Sequence, residues 1–315
     1  MSLIKHNNPP LDDNEVVALV GNAFKRYSEK SSAPAVYDLR QAGEEYAQHV
    51  ASLKERRVLT GFKKLDEKTR GVFPGEVVAL IAKTSNGKTA LALNLGRNYA
   101  RASSQPVLFF SLEMPLPAIY ERTYQLEMDK AGYEVEEEFL TDEMQVRKNV
   151  NLVFGKLPTL YFIPDGGLTL ADIGAAITHC ETEVYRRPTG LVIIDYLSLV
   201  HSERYERDDY LKTARIARGM KQLAKCSGVP IIFLSQVTKA HGIADELTLD
   251  AGRDSGAIAE AADIVLGLWR EAEMKSKHRL DMVMAILKNT QGGLGTIPVE
   301  MDRRTLAFYE RAGGK

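Results

Sequence analysis

The sequence has only two cysteines, no run of about 18 consecutive apolar residues, and almost no net charge. Cys180 and Cys226 lie far apart, without Cys-x-x-Cys or histidine spacing, which argues against a disulfide framework and against a zinc site. We expect both to be buried as small hydrophobic side chains. The first ten residues lack the apolar segment of a signal peptide. The chain is therefore predicted to be cytoplasmic and to have no membrane partner.

The composition, with 44% hydrophobic and 26% charged residues, is typical of a globular protein. The 315 residues suffice for one large domain with an appendage or for two small domains. A formal net charge of −1 gives no overall basic surface, so any contact with nucleic acid must come from a local patch.

One stretch has the layout of a phosphate-binding loop. The uncharged run Val77–Ala82 leads into Lys83-Thr-Ser-Asn-Gly87 and then into a helical pattern. In a P-loop, backbone N–H groups and the helix N-terminus hold the phosphates, a lysine such as Lys88 reaches the outer ones, and a hydroxyl such as Thr89 holds Mg²⁺. The generic pattern has glycine where this chain has Ala82. A Gly-Lys-Thr sequence alone also occurs at helix starts that bind nothing, so both interpretations stay open at this motif.

From Val58 onward, apolar strand candidates alternate with amphipathic helices. This pattern predicts an α/β fold with a mostly parallel sheet covered by helices on both faces, and the short final connections are typical of an antiparallel edge. The charged segment Glu127–Pro158 predicts a solvated helical surface insertion. The strand candidates are Val77–Ala82, Val107–Phe110, Leu160–Ile163, Leu191–Ile194, Ile231–Leu234, Ile264–Leu268 and Met282–Leu287, and the main helix candidates are Lys88–Ala102, Leu116–Lys130, Leu170–Arg186 and Asp209–Cys226.

Residues 1–57 form a predicted N-terminal arm, separate from a domain over 58–315. Asp38 and Gln41 resemble a capping box that opens a helix over about 38–56. Apolar residues at intervals of three and four give this otherwise charged helix one stripe, which must be buried against something. The surface that covers it is either the chain's own domain or a neighbouring subunit. The stripe consists of Leu39, Ala42, Tyr46, Val50 and Leu53.

Three polar residues lie within three residues after the ends of predicted strands, where ligands bind in open α/β sheets. Asp195 is suited to the hydration shell of Mg²⁺, Glu113 to activating a water as general base, and Gln236 to sensing a γ-phosphate. Each also has a purely structural interpretation. Asp195 can serve turn chemistry, and Glu113 and Gln236 can be ordinary polar residues at strand ends.

Seven short motifs occur in one order from about Val58 to the C-terminus. They are Thr60-Gly-Phe-x-x-Leu-Asp66, Thr69-x-Gly71, Ala82-x-x-Ser-x-Gly-Lys-Thr89, Phe110-Ser-Leu-Glu-Met114, Ile194-Asp-Tyr-Leu197, Leu234-Ser-Gln236 and Arg253-x-Ser-Gly256. Together they resemble the ATPase domain of DnaB-type replicative helicases, a family that commonly has alanine at the first P-loop position. The resemblance implies a RecA-like P-loop NTPase fold. It also implies a hexameric ring that hydrolyses ATP between subunits and moves along single-stranded DNA in the 5′ to 3′ sense during replication.

The resemblance assigns roles to individual residues, with ATP and Mg²⁺ as cofactors. The residues it places at the nucleotide are Ser85, Asn86, Gly87, Lys88, Thr89 and Arg122, and those at the metal are Thr89 and Asp195. Its catalytic residues are Glu113 as base, Gln236 at the γ-phosphate and Lys288 reaching into the neighbouring subunit's site. By the same resemblance, the helix over about 38–56 lies where the family has a linker helix that packs on the adjacent subunit, which favours the neighbouring subunit as the cover of its stripe.

The chain departs from the family at a late motif, Lys-x-Arg-x-Gly, whose Lys and Arg reach the neighbour's γ-phosphate. Here the sequence is Lys288-Asn-Thr-Gln-Gly292, so Thr290 replaces the arginine. Arginines that act across an interface are worth roughly 10³ to 10⁵ in rate. Three explanations stay open: Lys288 supplies the charge alone, another arginine such as Arg303 or Arg304 substitutes, or hydrolysis is slow and the protein mainly binds nucleotide.

The resemblance also implies partners: single-stranded DNA, further copies of the chain in a ring, and a helicase loader. Fewer than sixty residues precede the core, which leaves no room for the family's N-terminal domain; this predicts a minimal or truncated member and weakens the expectation of primase contact. The alternatives are a RecA-like recombination or clock-type ATPase, and a nucleotide-binding replication component with weak or no hydrolysis. The DNA candidates, on loops after the strands ending at Asp195 and Gln236, are Arg204, Arg207, Lys239 and Arg253.

Overall fold

The computed structural model describes residues 36–201, 208–236, 246–249, 255–271 and 278–311. The chain divides into two compact units, Met1–Ser52 and Leu53–Lys315, whereas the sequence places the boundary at 57/58. The strands are β1 (Val77–Ala82), β2 (Val107–Ser111), β3 (Leu160–Ile163), β4 (Leu191–Asp195), β5 (Ile231–Gln236), β6 (Ile264–Arg270), β7 (Arg279–Asn289), β8 (Gly295–Asp302) and β9 (Phe308–Glu310).

Helices account for most of the connections between the strands. They are α1 (Leu39–Arg56), α2 (Lys63–Thr69), α3 (Lys88–Ala102), α4 (Leu116–Met128), α5 (Gly132–Phe139), α6 (Glu143–Lys156), α7 (Leu170–His179), α8 (Asp209–Ser227) and α9 (Ser255–Ala261). A π-helical turn, Cys180–Val184, extends α7, and a 3₁₀ turn, Leu197–Leu199, follows β4. No helix within the described ranges is long and apolar enough to span a membrane.

The strands form one nine-stranded sheet in the order β3-β2-β4-β5-β1-β6-β7-β8-β9. The first six strands in this order pair in parallel, and β7, β8 and β9 pair antiparallel. The prediction of a mostly parallel sheet with an antiparallel edge is therefore confirmed. All seven predicted strands are present, most of them longer by one to three residues at an end, whereas β8 and β9 were not predicted.

Alternation along the central strands sends side chains into two cores, one on each face of the sheet. Phe109 packs in one core with Leu91 and Leu95 of α3, and the adjacent Phe110 packs in the other with Ile216 and Met220 of α8. Because both faces are covered, β1, β2 and β4 are buried along their whole length. Helices therefore lie on both faces, as predicted.

Two local predictions are wrong. The helix predicted over Leu170–Arg186 keeps α-helical geometry only to His179, and the chain then continues as the π-helical turn. Cys180 is buried as expected, but Cys226 is exposed because it lies on the outer side of α8 near its C-terminus.

The segment predicted as a solvated insertion is helical, but it has a small core of its own. Tyr124 and Phe139 stack edge to face at 5.2 Å between ring centroids. The Glu127 side chain is fully buried, and its carboxylate lies 3.3 Å from Arg101 and 3.8 Å from Lys156. The segment therefore folds as a helical layer formed by α4, α5 and α6.

Helix α1 begins with the capping box that the sequence predicts. The Asp38 backbone N–H donates to Gln41 Oε1 at 3.0 Å, and the Gln41 N–H donates to Asp38 Oδ1 at 2.8 Å. Three side chains of its apolar stripe are solvent-exposed: Leu39 by 91%, Tyr46 by 66% and Val50 by 45%.

Candidate functional site

The carboxyl ends of five adjacent parallel strands, β2-β4-β5-β1-β6, lie along one edge of the sheet. Ser111 of β2 is in register with Asp195 of β4, and Ala82 of β1 is in register with Gln236 of β5. Glu113 follows β2 by two residues. The topology therefore collects the three strand-end candidates and the loop after β1 at a single edge, as expected for a ligand site in an open α/β sheet.

The loop after β1 has the backbone conformation of an anion cradle. Ser85 and Gly87 adopt positive φ angles of +64° and +77°. The positive φ favours glycine at position 87, and a Cβ there would lie 2.9 Å from the sulfur of Met301 on β8, so the Met301 side chain would have to shift. Helix α3 begins at Lys88, and its first N–H groups have no partner within the helix. The loop therefore directs backbone N–H donors, and the helix the positive end of its dipole, toward the same region above the loop.

A polar cluster beneath the loop consists of Lys88 and Asp195, which are buried, and Thr89, which is partly buried. The Thr89 hydroxyl donates to Asp195 Oδ2 at 2.6 Å, and the Lys88 ammonium lies 4.7 Å from the centre of the Tyr196 ring. Burial lowers the pKa of Lys88, although the nearby Asp195 and Glu113 carboxylates oppose that shift. Burial also raises the pKa of Asp195, against the hydrogen bond from Thr89 and the charge of Lys88.

Buried polar atoms of this cluster lack hydrogen-bond partners within the described residues. They include Lys88 Nζ, Asp195 Oδ1 and Asn86 Nδ2. Each such atom costs about 1–3 kcal/mol when left unsatisfied. Phosphate oxygens would give the lysine and asparagine their acceptors, and a hydrated divalent cation would satisfy the carboxylate. The donor set therefore fits a nucleoside phosphate with Mg²⁺, held at Thr89 and Asp195.

A cavity of about 530 Å³ opens above this cluster. Of the residues predicted from sequence, it brings together Ser85, Gly87, Lys88, Thr89, Glu113, Arg122 and Gln236. Glu113 is exposed to the cavity, and Arg122 on α4 and Gln236 are half-buried. Asn86 and Asp195 lie beneath the loop, where Asp195 is only 1% exposed.

The cavity also contains residues that sequence reasoning missed. Arg270, the last residue of β6, donates a hydrogen bond to the Ser85 carbonyl. Burial lowers the pKa of Arg270, and the positive charge of Arg303 adds to that shift. Leu280, Met301 and Leu306 give one wall an apolar surface. The rule that identified Asp195, a polar residue at a strand end, would have found Arg270 had the strand been extended past Leu268.

Lys288 lies at the opposite end of the sheet from its own P-loop. The loop follows the end of β1 that pairs with Leu268, whereas Lys288 pairs with Val265 near the start of β6. Its ammonium donates to the carbonyls of Ala259 at 2.5 Å and Ala262 at 2.6 Å, at the C-terminal end of α9.

The two arginines considered as substitutes lie at the other end. Arg303 lines the chain's own cavity, and Arg304 is next to it, 3.8 Å from Asp302. Neither is near Thr290. The four DNA candidates, Arg204, Arg207, Lys239 and Arg253, lie outside the described residues.

The sequence of this chain is similar to those of known proteins over most of its length. The family model for the DnaB-like helicase C-terminal domain matches residues 57–310. The replicative DNA helicase DnaB of Haemophilus influenzae is 31% identical over 262 residues, covering 80% of this chain and 54% of that protein. The protein of the same name from Pasteurella multocida is 32% identical over 253 residues, covering 76% and 52%. The chain thus spans about half the length of the curated relatives it matches.

Two solved structures share the fold at low sequence identity. One, described as an ATPase domain, has a TM-score of 0.75 at 21% identity, with 88% of this chain and 100% of that one covered. A DnaB-like replicative helicase, solved to describe its interactions with primase, has a TM-score of 0.72 at 20% identity, with 94% and 76% covered. The predicted RecA-like fold class is confirmed by these matches.

Proposed function

The chain belongs to the family of DnaB-like helicase C-terminal domains, and from this premise we propose that it is the motor of a ring-forming DNA helicase. In this proposal it hydrolyses ATP at the interface between two copies and uses the cycle to move along single-stranded DNA during replication. The observation that carries the proposal is the single edge of the sheet at which the P-loop, Glu113 and Gln236 line one cavity. Asp195 lies beneath this loop and accepts a hydrogen bond from Thr89.

The chemistry proposed is in-line attack of water on the γ-phosphate of ATP. Lys88 and the N–H groups of the loop bind the phosphates, and the Thr89 hydroxyl and Asp195 hold the hydrated Mg²⁺. Bound Mg²⁺ supplies charge neutralisation at the phosphate oxygens. Glu113, exposed to the cavity at the end of β2, accepts the proton of the attacking water, and Gln236 positions that water.

Assembly into a ring, expected to be hexameric, is supported by the position of Lys288. Since Lys288 and the P-loop lie at opposite ends of the sheet, Lys288 can approach a triphosphate only when another copy presents one. The exposed apolar side chains of Leu39, Tyr46 and Val50 give α1 a surface that a neighbouring copy would cover.

The proposed partners differ in how directly they are supported. Single-stranded DNA and further copies of this chain come first, and a loader and primase are extensions from the family, since one fold relative is described by its interactions with primase. Arg204, Arg207, Lys239 and Arg253 remain the candidate DNA contacts, and the cytoplasm remains the predicted location.

A second candidate function is a nucleotide-binding replication component with weak or no hydrolysis. The observation that favours it is Thr290 in place of the family's arginine, with Lys288 held against the end of α9. A recombination or clock-type ATPase of the same fold is a weaker alternative, because the family match covers the whole ATPase region.

The decisive experiment measures ATP hydrolysis with and without single-stranded DNA on protein whose mass in solution is determined in the same buffer. We expect DNA-stimulated hydrolysis by an oligomeric ring and ATP-dependent unwinding of a forked duplex. Lys88→Met should abolish hydrolysis. Lys63→Met, at a side chain 84% exposed, makes the same chemical change as a matched control and should leave it intact. A confirmed ring without DNA stimulation would refute the translocase, and absence of hydrolysis would favour the second candidate.

A further inference from the structure

A concave basic surface lies beside Lys288 and Thr290, at the end of the sheet opposite the P-loop. Its volume is about 350 Å³. A β-bulge interrupts the pairing of β6 and β7 directly before Lys288, where Leu287 has no partner in the register, and such bulges redirect neighbouring side chains. The charged residues that line the surface are Arg218, Lys221, Lys225, Lys288, Glu260 and Asp263, so cations outnumber carboxylates by four to two.

Two of these cations are committed to the fold. Lys221 is only 22% exposed, donates to Asp263 at 2.6 Å and also to the Gly75 carbonyl at 3.1 Å. Lys288 uses two of its three N–H donors on carbonyls at the end of α9, where a positive charge also stabilises the helix dipole. The Lys288 ammonium is therefore poorly placed to act as the sole cation on a phosphate.

Arg218 is held differently. It projects from α8, is 62% exposed, and pairs with Glu260, which is 64% exposed, at 3.0 Å. Exposed ion pairs of this kind contribute about 0–1 kcal/mol, so the guanidinium can change partner at little cost. The position of Arg218 is tied to Lys288 through its partner Glu260. Glu260 lies at the C-terminal end of α9 between Ala259 and Ala262, whose carbonyls accept hydrogen bonds from the Lys288 ammonium.

We propose that Arg218 supplies the guanidinium that the Thr290 position lacks, by contacting the γ-phosphate of ATP bound to an adjacent copy of this chain. This inference rests on the proposed ring. A planar guanidinium matches two phosphate oxygens at once. Thr290 is fixed at the same surface by its N–H, which donates to the Asp263 carbonyl at 3.1 Å.

Arg218 transfers no atom in the reaction. The water oxygen bonds to the γ-phosphorus, the bond to the bridging oxygen breaks with its electron pair going to ADP, and the proton of the water passes to Glu113. Arg218 neutralises the charge that spreads over the equatorial oxygens. When no neighbouring nucleotide is present, Glu260 holds the guanidinium.

The first test compares Arg218→Gln with Arg147→Gln. Arg147 lies on α6 and also forms an exposed ion pair, 2.6 Å from Glu143, so it is a matched control. Arg218→Gln should lower kcat by about 10³-fold with little change in KM, the lower end of the range for arginines that act across an interface. The control should retain the wild-type rate. If kcat of Arg218→Gln is within about 3-fold of wild type in an intact, hydrolysing ring, the inference is wrong while the proposed function stands.

The second test distinguishes action on a neighbour from a structural role. Arg218→Gln protein has an intact P-loop, and Lys88→Met protein has an intact Arg218, so mixed rings contain some interfaces with both. Mixing the two inactive proteins should therefore restore hydrolysis well above the sum of the separate rates. If hydrolysis is not restored in mixed rings that are shown to exchange subunits, the inference is overturned.

A third variant places the arginine where the family has it. Thr290→Arg in the Arg218→Gln background should recover about 10-fold or more in kcat, because the two positions share one surface. No recovery, in protein that still forms rings and binds ATP, would show that this surface does not face the phosphate. If the wild-type chain forms no ring, the proposed function and this inference fail together.

Discussion

ATP with Mg²⁺ should raise the melting temperature of the chain, and Lys88→Met should remove that rise. A ligand that binds only the folded state, present at about 100 times its Kd, stabilises that state by about 2.7 kcal/mol. The unit Leu53–Lys315 has roughly 260 residues, and each contributes about 2.1 cal/mol/K to the unfolding entropy. The expected rise is therefore about 5 °C.

The substitution should change the stability of the nucleotide-free protein by less than this 2.7 kcal/mol ligand effect, at about 2 kcal/mol or below. Methionine keeps the unbranched stem but removes an ammonium that has no hydrogen-bond acceptor among the described residues, which recovers about 1–3 kcal/mol. Against this gain, Asp195 loses its positive neighbour, and the contact with the Tyr196 ring is lost, at about 0.5–2 kcal/mol for the ring alone. The gain and the losses largely offset each other, so we expect the free energy of unfolding of the nucleotide-free protein to change by no more than about 2 kcal/mol.

Differential scanning calorimetry over a range of ATP concentrations, with Mg²⁺ and with chelator, measures both quantities. Lys63→Met serves again as the control and should keep the full rise. If Lys88→Met also keeps a rise of about 5 °C, the ammonium does not bind the phosphates. If it unfolds the nucleotide-free protein instead, Lys88 is mainly a structural residue.

Three further predictions concern chemistry, backbone and pH. Glu113→Gln should lower kcat by about 10² to 10⁴ while ATP binding, followed by titration calorimetry, is retained; a loss below about 10-fold would refute its role as base. Gly87→Ala should lower the free energy of unfolding, measured in urea, by about 1–3 kcal/mol and weaken ATP binding, because φ is +77° and the new Cβ would lie 2.9 Å from Met301 Sδ. A free energy of unfolding equal to that of the wild type would contradict this. Burial raises the pKa of Tyr185 to about 12. The folded state then keeps a proton that the unfolded state releases near pH 10, so wild-type stability should fall as pH rises from about 10 to 12. Because Tyr185 is partly exposed to solvent, the loss should stay below the roughly 2.7 kcal/mol that two full pKa units represent. Tyr185→Phe, which lacks the 2.5 Å hydrogen bond to Thr189, should start lower and show less of this fall in urea titrations at each pH; an identical pH profile would refute it.

The sequence predicts the site well where local chemistry decides the structure. An apolar run that ends in a polar residue, as at Asp195 and Gln236, marks both the strand and its functional end. Parallel pairing then brings such ends together without any further information. For this reason the structure gathers the nucleotide candidates at one edge, although the role of each side chain stays a prediction.

The missed features depend on contacts between distant segments. β8 alternates buried Ile297, Val299 and Met301 with less buried residues, so its period-two pattern was detectable, but its function as a cover for the P-loop depends on packing against Gly87. The partner of Lys288 could not be predicted either. Only the antiparallel return of β7 brings it to the end of α9 and beside Arg218.

Strand β7 links these two ends of the molecule. It contributes Leu280 to the wall of the chain's own cavity and carries Lys288 at its other end. The eight residue steps between them span about 27 Å of extended chain. In the proposed ring, strand β7 of every subunit would therefore reach from that subunit's own nucleotide to the nucleotide of the neighbouring subunit.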